Sequence, residues 1–469
     1  MTRLDGKPVL TAAELREAEA RAMRRDVTED DLIARAGAAV ADWVRRLAVG
    51  AETLVLCGPG NNGADGYVAA ALLRENGHPV RVAAAAPPRS PAAIRAAERW
   101  GGPIEPLACF SAPVLVDAVY GTGLTRPLDQ ALRDALIEHR SNAGLSIAVD
   151  LPSGLHADLG RTPGWVVPDI GVSLTLALGA LKPAHILWPG SEMCGTVRLV
   201  DLGLRPSRAM KVASRPGIPR LWGTDHKFTR GMVAVVAGAM PGAARLAATA
   251  AARAGAGYVV LLGDEAREGP DAIVHRALDE AAFDDERIGA VVIGPGLGRD
   301  DRARHWVDHL LSARKMPLVL DGDALHLVDG AALRPAERPL VLTPHDGEFR
   351  ACFPYVMPRE DRITETRLAL GDGGFTLVRK GVNTMVMSPG HTSGGVATTL
   401  FPTGNLWLST AGSGDVLAGA IGGLLARFGR AQDAAEAGVW LHADAARRCG
   451  ASFIADDLAA ALTPARAGL

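Results

Sequence analysis

Short apolar runs alternate with longer amphipathic segments along most of the chain. In the first half, the apolar runs read TLVLC, PVRVAAA, PVLVDAVY, LSIAVDL, VSLTLAL and TVRLVDLGL. Runs of Val, Leu and Ala with few interruptions are typical of parallel strands that helices bury on both faces. The first half is therefore predicted to form an α/β domain around a parallel sheet.

Two amphipathic segments precede the first of these strands. TAAELREAEARAMRR begins at Thr11, and Glu14 follows three residues later, a spacing that predicts a capping box at a helix N-terminus. DDLIARAGAAVADWVRRL has apolar residues at the helical period. Two helices are therefore predicted before the strand that starts at Thr53.

A stretch rich in Pro and Arg, RPSRAMKVASRPGIPRL at 205–221, interrupts the alternation. It has no apolar periodicity, and its composition is typical of a linker. We therefore predict two domains, 1–210 and 222–469, joined by a linker at 211–221. Each domain is expected to be an αβα sandwich.

The alternation resumes after the linker. The predicted strands are MVAVVAG, YVVLLG, AVVIGPGLG, PLVLDGDAL, PLVLTPHDGEF and FTLVRKG, and the first long helix is AARLAATAAARAGA. TMVMSPGHTSGGVATTLFPTGNLWLST is predicted to form a β-ribbon, and a helical region is predicted from Asp415 onward.

Composition narrows the class of protein. Hydrophobic residues make up 48% and charged residues 22% of the 469 residues, and the formal net charge is −2. No block of like charges suggests a nucleic acid or a membrane surface as a partner. The first residues have no signal-peptide pattern, and no uncharged run is long enough to span a membrane. Five scattered cysteines without a CxxC pair favour free thiols in the cytoplasm.

The glycine-rich segment GPGNNGADG at 58–66 follows the strand TLVLC and precedes a helix. Open α/β sheets bind ligands at the carboxyl ends of their strands, and glycine amides at a helix N-terminus can approach a phosphate closely. The alternative is a tight turn without a ligand, because the spacing is not GxGxxG.

Two later segments, DAVYGTGLTRP at 117–127 and VDLPSGL at 149–155, also follow strands. Oxygen atoms of the kind that bind hard cations occur on Asn62, Asp117, Asp150 and Ser153. Together they could hold K⁺ beside a phosphate-bearing ligand. The alternative is that each Asp merely caps its own loop.

The segment STAGSGDVLAGAIGGLL at 409–425 carries the most specific pattern. Its glycines place backbone amides immediately before a helix, where they favour an anion, and Asp415 stands in the first turn as a candidate base. Phosphoryl transfer needs such an arrangement. The alternative is a glycine-rich helix start capped by Asp. GPGLG, LDGDAL, LTPHDGEF and VRKGVNT, which also end or follow strands, favour the functional interpretation.

The segments TAAELREAE, GPGNNGADG, DAVYGTGL and VDLPSGL, in this order, resemble the N-terminal domain of NAD(P)H-hydrate epimerases. The resemblance implies a Rossmann-like three-layer αβα sandwich that interconverts the R and S epimers of hydrated NAD(P)H. It implies Asp150 as the catalytic acid/base and K⁺ held by Asn62, Asp117 and Ser153. Lys182 is either an assistant or a surface lysine. The implied substrate-binding residues are Asn61, Asn62, Gly63, Ala64, Asp65, Gly121, Thr122, Gly123, Leu124, Thr125, Arg126, Pro127 and Asp150.

Residues 222–465, which begin with HKFTRGMVAVVAGAMPGAARLAATAAARAGAG, resemble the ribokinase-like fold and, within it, the NAD(P)H-hydrate dehydratases. The resemblance implies that ADP or ATP, with Mg²⁺, drives removal of water from the S epimer, by phosphorylation of the ring hydroxyl and then elimination. Asp415 is the implied base, and Asp321 and Asp323 are more distant helpers. The implied substrate contacts are Ala243, Gly296, His345 and Asp415, and the implied nucleotide contacts are Lys380, Gly381, Val382, Asn383, Thr384 and Gly414.

The chain departs from these family patterns at Ala34, Ala64, Gly322, Asp346, Trp407 and Ala411. We nevertheless predict a bifunctional repair enzyme of NAD(P)H-hydrate that uses an adenine nucleotide and forms a homo-oligomer. One alternative is a ribokinase-like kinase of a vitamin precursor or a sugar-like molecule. Another is a first half that only binds nucleotides or mediates assembly. The sequence leaves open the choices of ADP or ATP and of NADH-hydrate or NADPH-hydrate.

Overall fold

The computed structural model describes residues 4–25, 27–163, 171–205, 210–263, 269–312, 316–333, 338–390 and 395–469. The chain divides into two compact units, Met1–Val212 and Ala213–Leu469. Residues 206–209 of the Pro- and Arg-rich stretch and residues 391–394 of the expected β-ribbon lie outside the described residues. Within the described ranges, no helix is both long enough and apolar enough to cross a membrane.

In the described part of the first unit, seven parallel strands form a sheet in the order β3-β2-β1-β4-β5-β6-β7. The strands are β1 Thr53–Cys57, β2 Val80–Ala84, β3 Ile104–Pro106, β4 Val114–Ala118, β5 Leu145–Val149, β6 Leu174–Leu178 and β7 Thr196–Val200, and a short β8 is Met210–Val212. The helices are α1 Ala12–Met23, α2 Glu29–Ala48, α3 Asn61–Glu75, α4 Pro91–Trp100, α5 Gln130–Asn142 and α6 Gly190–Met193.

Strand β1 shows why the first unit has three layers. All five of its residues are buried, and successive side chains point to opposite faces of the sheet. Val55 packs in one core with residues of α2 and α3, whereas Leu54 and Leu56 pack in another with residues of α5. Helices therefore cover both faces, as the near-continuous apolar runs predicted.

The predicted starts of the elements are confirmed in the first unit. Thr11 and Glu14 form both hydrogen bonds of the capping box at α1. Each of the six apolar runs predicted as strands contains one of the strands β1, β2 and β4 to β7. Strand β3 was not predicted, because its three residues are partly exposed and have no apolar pattern. Strand β8 begins within the stretch interpreted as a linker, and residues 213–222 form neither helix nor strand.

In the described part of the second unit, the sheet order is β11-β10-β9-β12-β13-β14-β15-β16-β17. The strands are β9 Met232–Val236, β10 Tyr258–Leu262, β11 Ile273–Arg276, β12 Ile288–Ile293, β13 Leu318–Leu320, β14 Leu340–Leu342, β15 Thr376–Arg379, β16 Met385–Pro389 and β17 Val396–Leu400. The helices are α7 Pro241–Ala254, α8 Asp301–Ser312, α9 Asp346–Cys352, α10 Arg362–Leu370, α11 Ser413–Phe428, α12 Ala431–Cys449 and α13 Ala455–Ala467.

Strands β9 to β15 are parallel, and β15, β16 and β17 pair antiparallel. The predicted β-ribbon is therefore confirmed for β16 and β17. It was wrong for residues 401–410, where Pro402 and Gly404 interrupt the strand and a short helical turn, Leu406–Leu408, follows.

Small residues bring helices α7 and α11 into close contact over one face of this sheet. A Cβ atom added to Gly419 would overlap the backbone carbonyl oxygen of Ala247. Val233 and Val235 of β9 pack in this core, while their neighbours Ala234 and Val236 are buried on the opposite side. The sheet is therefore covered on both faces, which confirms the predicted αβα arrangement.

Candidate active sites

The glycine-rich segment at 58–66 closes against the loop after β4. A Cβ atom added to Gly58 would overlap the carbonyl oxygen of Val119, and one added to Gly63 would overlap the carbonyl oxygen of Gly58. Gly60, which precedes α3, has open space where its Cβ would be. Two of the glycines are therefore required by packing, and Gly60 faces space that a ligand can occupy.

Asp150 lies directly after β5 with a left-handed backbone conformation, φ 66°, which costs a non-glycine residue about 1 kcal/mol. Its Oδ1 accepts the backbone N–H of Leu178 at 3.0 Å and forms an ion pair with Lys182 Nζ. The same Nζ donates to the carbonyl oxygens of Leu178 at 2.8 Å and Ala180 at 3.0 Å. Lys182 is fully buried, so its interpretation as a surface lysine was wrong.

His185 fixes the backbone of Asp150. Burial, with a smaller contribution from the Lys182 charge, lowers the pKa of His185 to about 4, so the ring is neutral. Its Nδ1 accepts the Lys182 backbone N–H at 2.9 Å, which leaves Nε2 to donate to the carbonyl oxygen of Asp150 at 2.8 Å. Sequence reasoning missed His185, because LKPAHIL contains no motif that points to it.

A cavity of about 460 Å³ brings most of the predicted epimerase residues together. The predicted residues that line it are Asn61, Asn62, Asp65, Gly121, Thr122, Gly123 and Asp150. A Cβ atom on Gly121 would lie 2.9 Å from Asn62 Oδ1 and 3.1 Å from Asp150 Oδ2, so both side chains flank this glycine. Arg16, Glu19 and Glu29, which sequence reasoning did not select, also line the cavity.

The remaining predicted residues of the first unit lie elsewhere. Leu124, Thr125, Arg126 and Pro127 line a second cavity of about 440 Å³, which shares Tyr120 and Gly123 with the first. Ala64 packs in the hydrophobic core and does not line either cavity. Its methyl group replaces the hydrogen of a glycine within the core, so this departure from the family pattern is accommodated by packing.

The cavity also contains carboxyl groups that favour the protonated form. Burial raises the pKa of Asp65 well above its usual value, and the charges of Asp150 and Glu19 raise it further. Burial likewise raises the pKa of Glu19, against the lowering effect of Lys182. The surroundings of Asp65 therefore favour the neutral carboxylic acid more than water does, whereas Asp150 is held beside an ammonium group.

The oxygens predicted to bind K⁺ are already engaged within the protein. Asp117 Oδ1 accepts from Ser153 Oγ at 2.6 Å and from the Val119 N–H at 3.3 Å. Asp117 Oδ2 accepts from the Ser153 N–H at 2.9 Å and from the Arg140 guanidinium at 2.6 Å. The four acceptor positions of the carboxylate are thus occupied, and its charge is compensated. Asp117 and Ser153 do not fit the predicted K⁺ site in this arrangement.

In the second unit, Asp415 lies in the first turn of α11 and is half-buried. Burial raises the pKa of its carboxyl group to about 7, and the Asp321 carboxylate raises it as well, while Lys380 opposes the shift. Asp415 is not ion-paired within the described ranges. A carboxyl group with this pKa accepts and returns a proton readily near neutral pH.

Lys380 lies between two carboxylates beside Asp415. Its Nζ donates to Asp321 Oδ1 at 2.6 Å and lies 3.4 Å from Glu348 Oε2. Burial alone would lower the pKa of Lys380, but these carboxylates raise it, so the group stays charged. A Cβ atom on Gly414 would lie 3.2 Å from Nζ, which shows how closely the start of α11 approaches the ammonium group.

His345 lies at the N-terminus of α9. Its Nδ1 accepts the Gly347 N–H at 2.9 Å, and its Nε2 lies 3.1 Å from Glu348 Oε1. The next residue, Asp346, lies 3.2 Å from Arg362 and 3.1 Å from Arg379. Burial would raise the pKa of Asp346, but the two arginines lower it. These partners account for a carboxylate where the family pattern has Pro.

A cavity of about 500 Å³ lies beside Lys380 and α11. The predicted nucleotide residues that line it are Lys380, Gly381, Val382, Thr384 and Gly414. Its apolar wall consists of Phe401, Leu406, Leu408, Leu417 and Val439. Asn383 is instead buried and donates to the Phe401 carbonyl oxygen at 3.2 Å. His442, missed from the sequence, lines the cavity as a neutral ring, since burial lowers its pKa to about 4.

Two further predicted residues meet at the loop after β12. A Cβ atom on Gly296 would lie 2.9 Å from the Cβ of Ala243. Asp323 orders this loop, because its Oδ2 accepts the Gly298 N–H at 3.0 Å and its Oδ1 accepts from Arg299 at 2.8 Å. Gly322, a departure from the family pattern, has φ 52°, a conformation that favours glycine over the usual Ala.

The two units therefore define a two-domain α/β protein with a cavity at strand ends in each, lined by charged groups in the first unit and by Lys380 and an apolar wall in the second. A family model described as NAD(P)H-hydrate dehydratase matches residues 233–465, and one described as YjeF-related protein N-terminus matches residues 29–184.

Curated relatives are similar along both units. The bifunctional NAD(P)H-hydrate repair enzyme of Coxiella burnetii is 34% identical over 475 residues and covers 93% of each chain. That of Mycobacterium tuberculosis is 34% identical over 396 residues, which are 81% of this chain and 79% of the relative. This chain belongs to the family of bifunctional NAD(P)H-hydrate repair enzymes.

A solved structure is similar over part of the chain. It is the ADP/ATP-dependent NAD(P)H-hydrate dehydratase of Bacillus subtilis co-crystallised with ATP and Mg²⁺. It is 29% identical, with a TM-score of 0.45, and the match covers 53% of this chain and 93% of that chain.

The raised pKa of Asp415 predicts a pH-dependent gain of stability in Asp415→Asn. The folded-state pKa is about 7 and the ordinary value 3.8, so this carboxyl group costs stability progressively as the pH rises from 3.8 to about 7, and the full cost is present above that range. Thermal unfolding of Asp415→Asn should match the wild type near pH 4 and occur at higher temperature near pH 8. If Asp415→Asn and the wild type unfold at the same temperature at pH 8 as well as at pH 4, the raised pKa of Asp415 is contradicted.

Proposed function

We propose that the first unit interconverts the R and S epimers of hydrated NAD(P)H and that the second removes water from the S epimer with ADP or ATP. The observation that carries this proposal is the Asp415 carboxyl, with a pKa of about 7, at the N-terminus of α11 beside Lys380. Membership of the repair-enzyme family supports the same pair of reactions. We assign them to residues 1–210 and 222–469, with 211–221 as the linker.

For dehydration, Asp415 accepts the proton of the ring hydroxyl as that oxygen attacks the terminal phosphorus of the nucleotide. The bond to the leaving nucleotide breaks, and the backbone amides at the start of α11 stabilise the charge on the transferred group. Phosphate then leaves with the C–O bonding electrons. A proton lost from the neighbouring carbon completes the double bond of NAD(P)H.

The cavity beside Lys380 suits an adenine nucleotide. Its apolar wall, which includes Phe401 and Leu417, can hold the base, while Lys380 and Gly414 lie where phosphates would be bound. Mg²⁺ would be held chiefly by the phosphates of the nucleotide, because the oxygens of the nearby Glu348 and Asp323 already accept from groups of the protein. Bound Mg²⁺ would neutralise phosphate charge.

For epimerisation, Asp150 is the proposed acid/base, and Lys182 and His185 hold it in position. Asp65, whose pKa burial raises, lines the same cavity, and in its protonated form it can donate a proton or a hydrogen bond to the hydroxyl of the substrate. No step is assigned to K⁺, because Asp117 and Ser153 are engaged elsewhere.

We place the enzyme in the cytoplasm, where the five free cysteines would stay reduced. That the protein forms a homo-oligomer remains a prediction.

A kinase with a non-catalytic first unit is not favoured. The first unit has a buried Asp150–Lys182 pair facing a cavity, and buried ion pairs of this kind are expensive to maintain. The curated relatives similar to the chain along both units are named as bifunctional repair enzymes.

Matched substitutions in the two units separate the two reactions. With a mixture of hydrated NADH epimers, ADP or ATP, and Mg²⁺, Asp415→Asn should lose NADH regeneration by at least about a thousandfold, as expected when a catalytic base is removed. It should keep the exchange of epimers. Asp150→Asn should regenerate NADH from the S epimer and leave the R epimer. The absorbance of NADH measures its regeneration, and chromatography of the epimers measures their exchange.

A protein-free control corrects these rates for spontaneous epimerisation. Loss of both reactions in Asp415→Asn, with the protein folded, would argue against separate sites. Failure of the wild type to regenerate NADH with either nucleotide would refute the proposed function.

Lys380 should contribute mainly to nucleotide binding. Lys380→Met removes a charged partner of the phosphates, worth about 1.5–3 kcal/mol, so the KM for the nucleotide should rise roughly tenfold to a hundredfold. Lys227→Met, a change at an exposed lysine, serves as the matched control. Initial rates at varied nucleotide concentration test this, and an unchanged KM in Lys380→Met would contradict the proposed nucleotide site.

A further inference from the structure

We propose that the guanidinium of Arg140 is a permanent, built-in cation of the first unit, which replaces K⁺ and makes epimerisation independent of K⁺. The consequence for activity rests on the proposed epimerase function. The structural part of the proposal, that no K⁺ binds at Asp117 and Ser153, is independent of that function.

The geometry around Arg140 resembles the coordination of an ion. One guanidinium nitrogen, Nη2, donates both to Asp117 Oδ2 at 2.6 Å and to the carbonyl oxygen of Ser153 at 2.8 Å. The exposed fractions of the two side chains are 1% for Arg140 and 0% for Asp117. A positive charge therefore already bridges the oxygens of two neighbouring strand-end loops in a space without solvent.

A second cation at this place would be strongly disfavoured. Every acceptor position of the Asp117 carboxylate has a donor, and its one negative charge is balanced by Arg140. Two like charges a few ångströms apart in a buried site repel each other strongly, because little solvent screens them. Binding of K⁺ would also require desolvation of the ion without a free carboxylate to compensate for it.

Arg140 differs from a bound ion in a useful respect. An arginine stays protonated at every physiological pH and cannot dissociate, whereas occupancy by K⁺ depends on the concentration of the salt. Arg140 is carried near the end of α5, so its position is set when the fold forms.

The cluster reaches the cavity through a short chain of contacts. Ser153 Oγ donates to Asp117 and accepts the N–H of Tyr120 at 2.8 Å. The next residue, Gly121, lies against Asn62 and Asp150 in the cavity wall. Arg140 does not line the cavity itself. It is thus a positioning residue, which acts by holding the loop that carries Gly121.

The first test uses the wild-type full-length protein and needs no substrate. Thermal unfolding is measured in KCl, NaCl and choline chloride at equal ionic strength. The proposal predicts the same unfolding temperature in all three salts, because a specific ligand of the folded state raises that temperature and a non-binding ion does not. A rise specific to K⁺ that disappears in Asp117→Asn would overturn the proposal, whereas a rise that persists in Asp117→Asn belongs to another part of the chain.

The second test measures epimerisation in the same salts. Wild-type rates should agree within about twofold, far less than the change expected when a cation that orders a site is absent. Activation by K⁺ of about tenfold or more would contradict the proposal. No epimerisation in any salt would instead refute the proposed function, while the unfolding comparison would still decide whether K⁺ binds.

Substitutions at Arg140 test whether its positive charge is what positions the loop that carries Gly121. Arg140→Gln should lower kcat for epimerisation at least about tenfold, as a buried, hydrogen-bonded charge is removed, and leave dehydration by the second unit unchanged. Arg140→Lys should retain more activity, because it keeps the charge. Arg46→Gln, a change at an exposed arginine, is the matched control. Equal epimerisation by Arg140→Gln and wild type would overturn the positioning role, and the wild-type comparisons stand even if Arg140→Gln does not fold.

Discussion

Carboxylates at the ends of buried strands, each compensated by a cation from another segment, are the constraint on which both sites depend. The pairs are Asp117 with Arg140, Asp150 with Lys182, and Asp321 with Lys380. Each of these carboxylates is at most 5% exposed. A buried carboxylate without such a partner would be too costly to keep ionised. The pairs therefore fix the strand-end loops relative to each other, and with them the walls of the cavities.

Unlike these three carboxylates, Asp415 has no cationic partner among the described residues, and this difference explains its proposed role as a base. It lies near Asp321 and Glu348, but Lys380 is already committed to those carboxylates. Burial and the neighbouring negative charges therefore leave Asp415 with a pKa of about 7. In the first unit, Asp150 has its cation, whereas no ion pair to Asp65 occurs within the described residues. In the second unit, compensated carboxylates thus organise the site, and the uncompensated Asp415 carboxyl group exchanges protons.

The sequence predicted the strands well, because apolar runs and burial on two faces are local properties. It also predicted Asp150 and Asp415 as candidates, because both follow recognisable segments. It did not predict Arg140 or His185, because Asp117, the partner of Arg140, and Asp150, which His185 holds, are more than ten residues away and are brought near only by the folded sheet. The same limit applies to the proposed K⁺ site: the sequence shows that Asp117 and Ser153 present suitable oxygens, but only the fold shows that the Arg140 guanidinium donates to Asp117 Oδ2 and to the Ser153 carbonyl oxygen.

The ionisation of Asp415 can be observed directly. With the full-length protein labelled with ¹³C at the aspartate carboxyl carbons, the signal absent from Asp415→Asn identifies this residue, and its chemical shift is followed with pH. We expect a midpoint near pH 7, because the pKa of Asp415 is raised to about 7. A midpoint near the ordinary value of 3.8 would show that Asp415 is compensated in solution, and would contradict the claim that an unpaired, half-buried carboxyl group is the base.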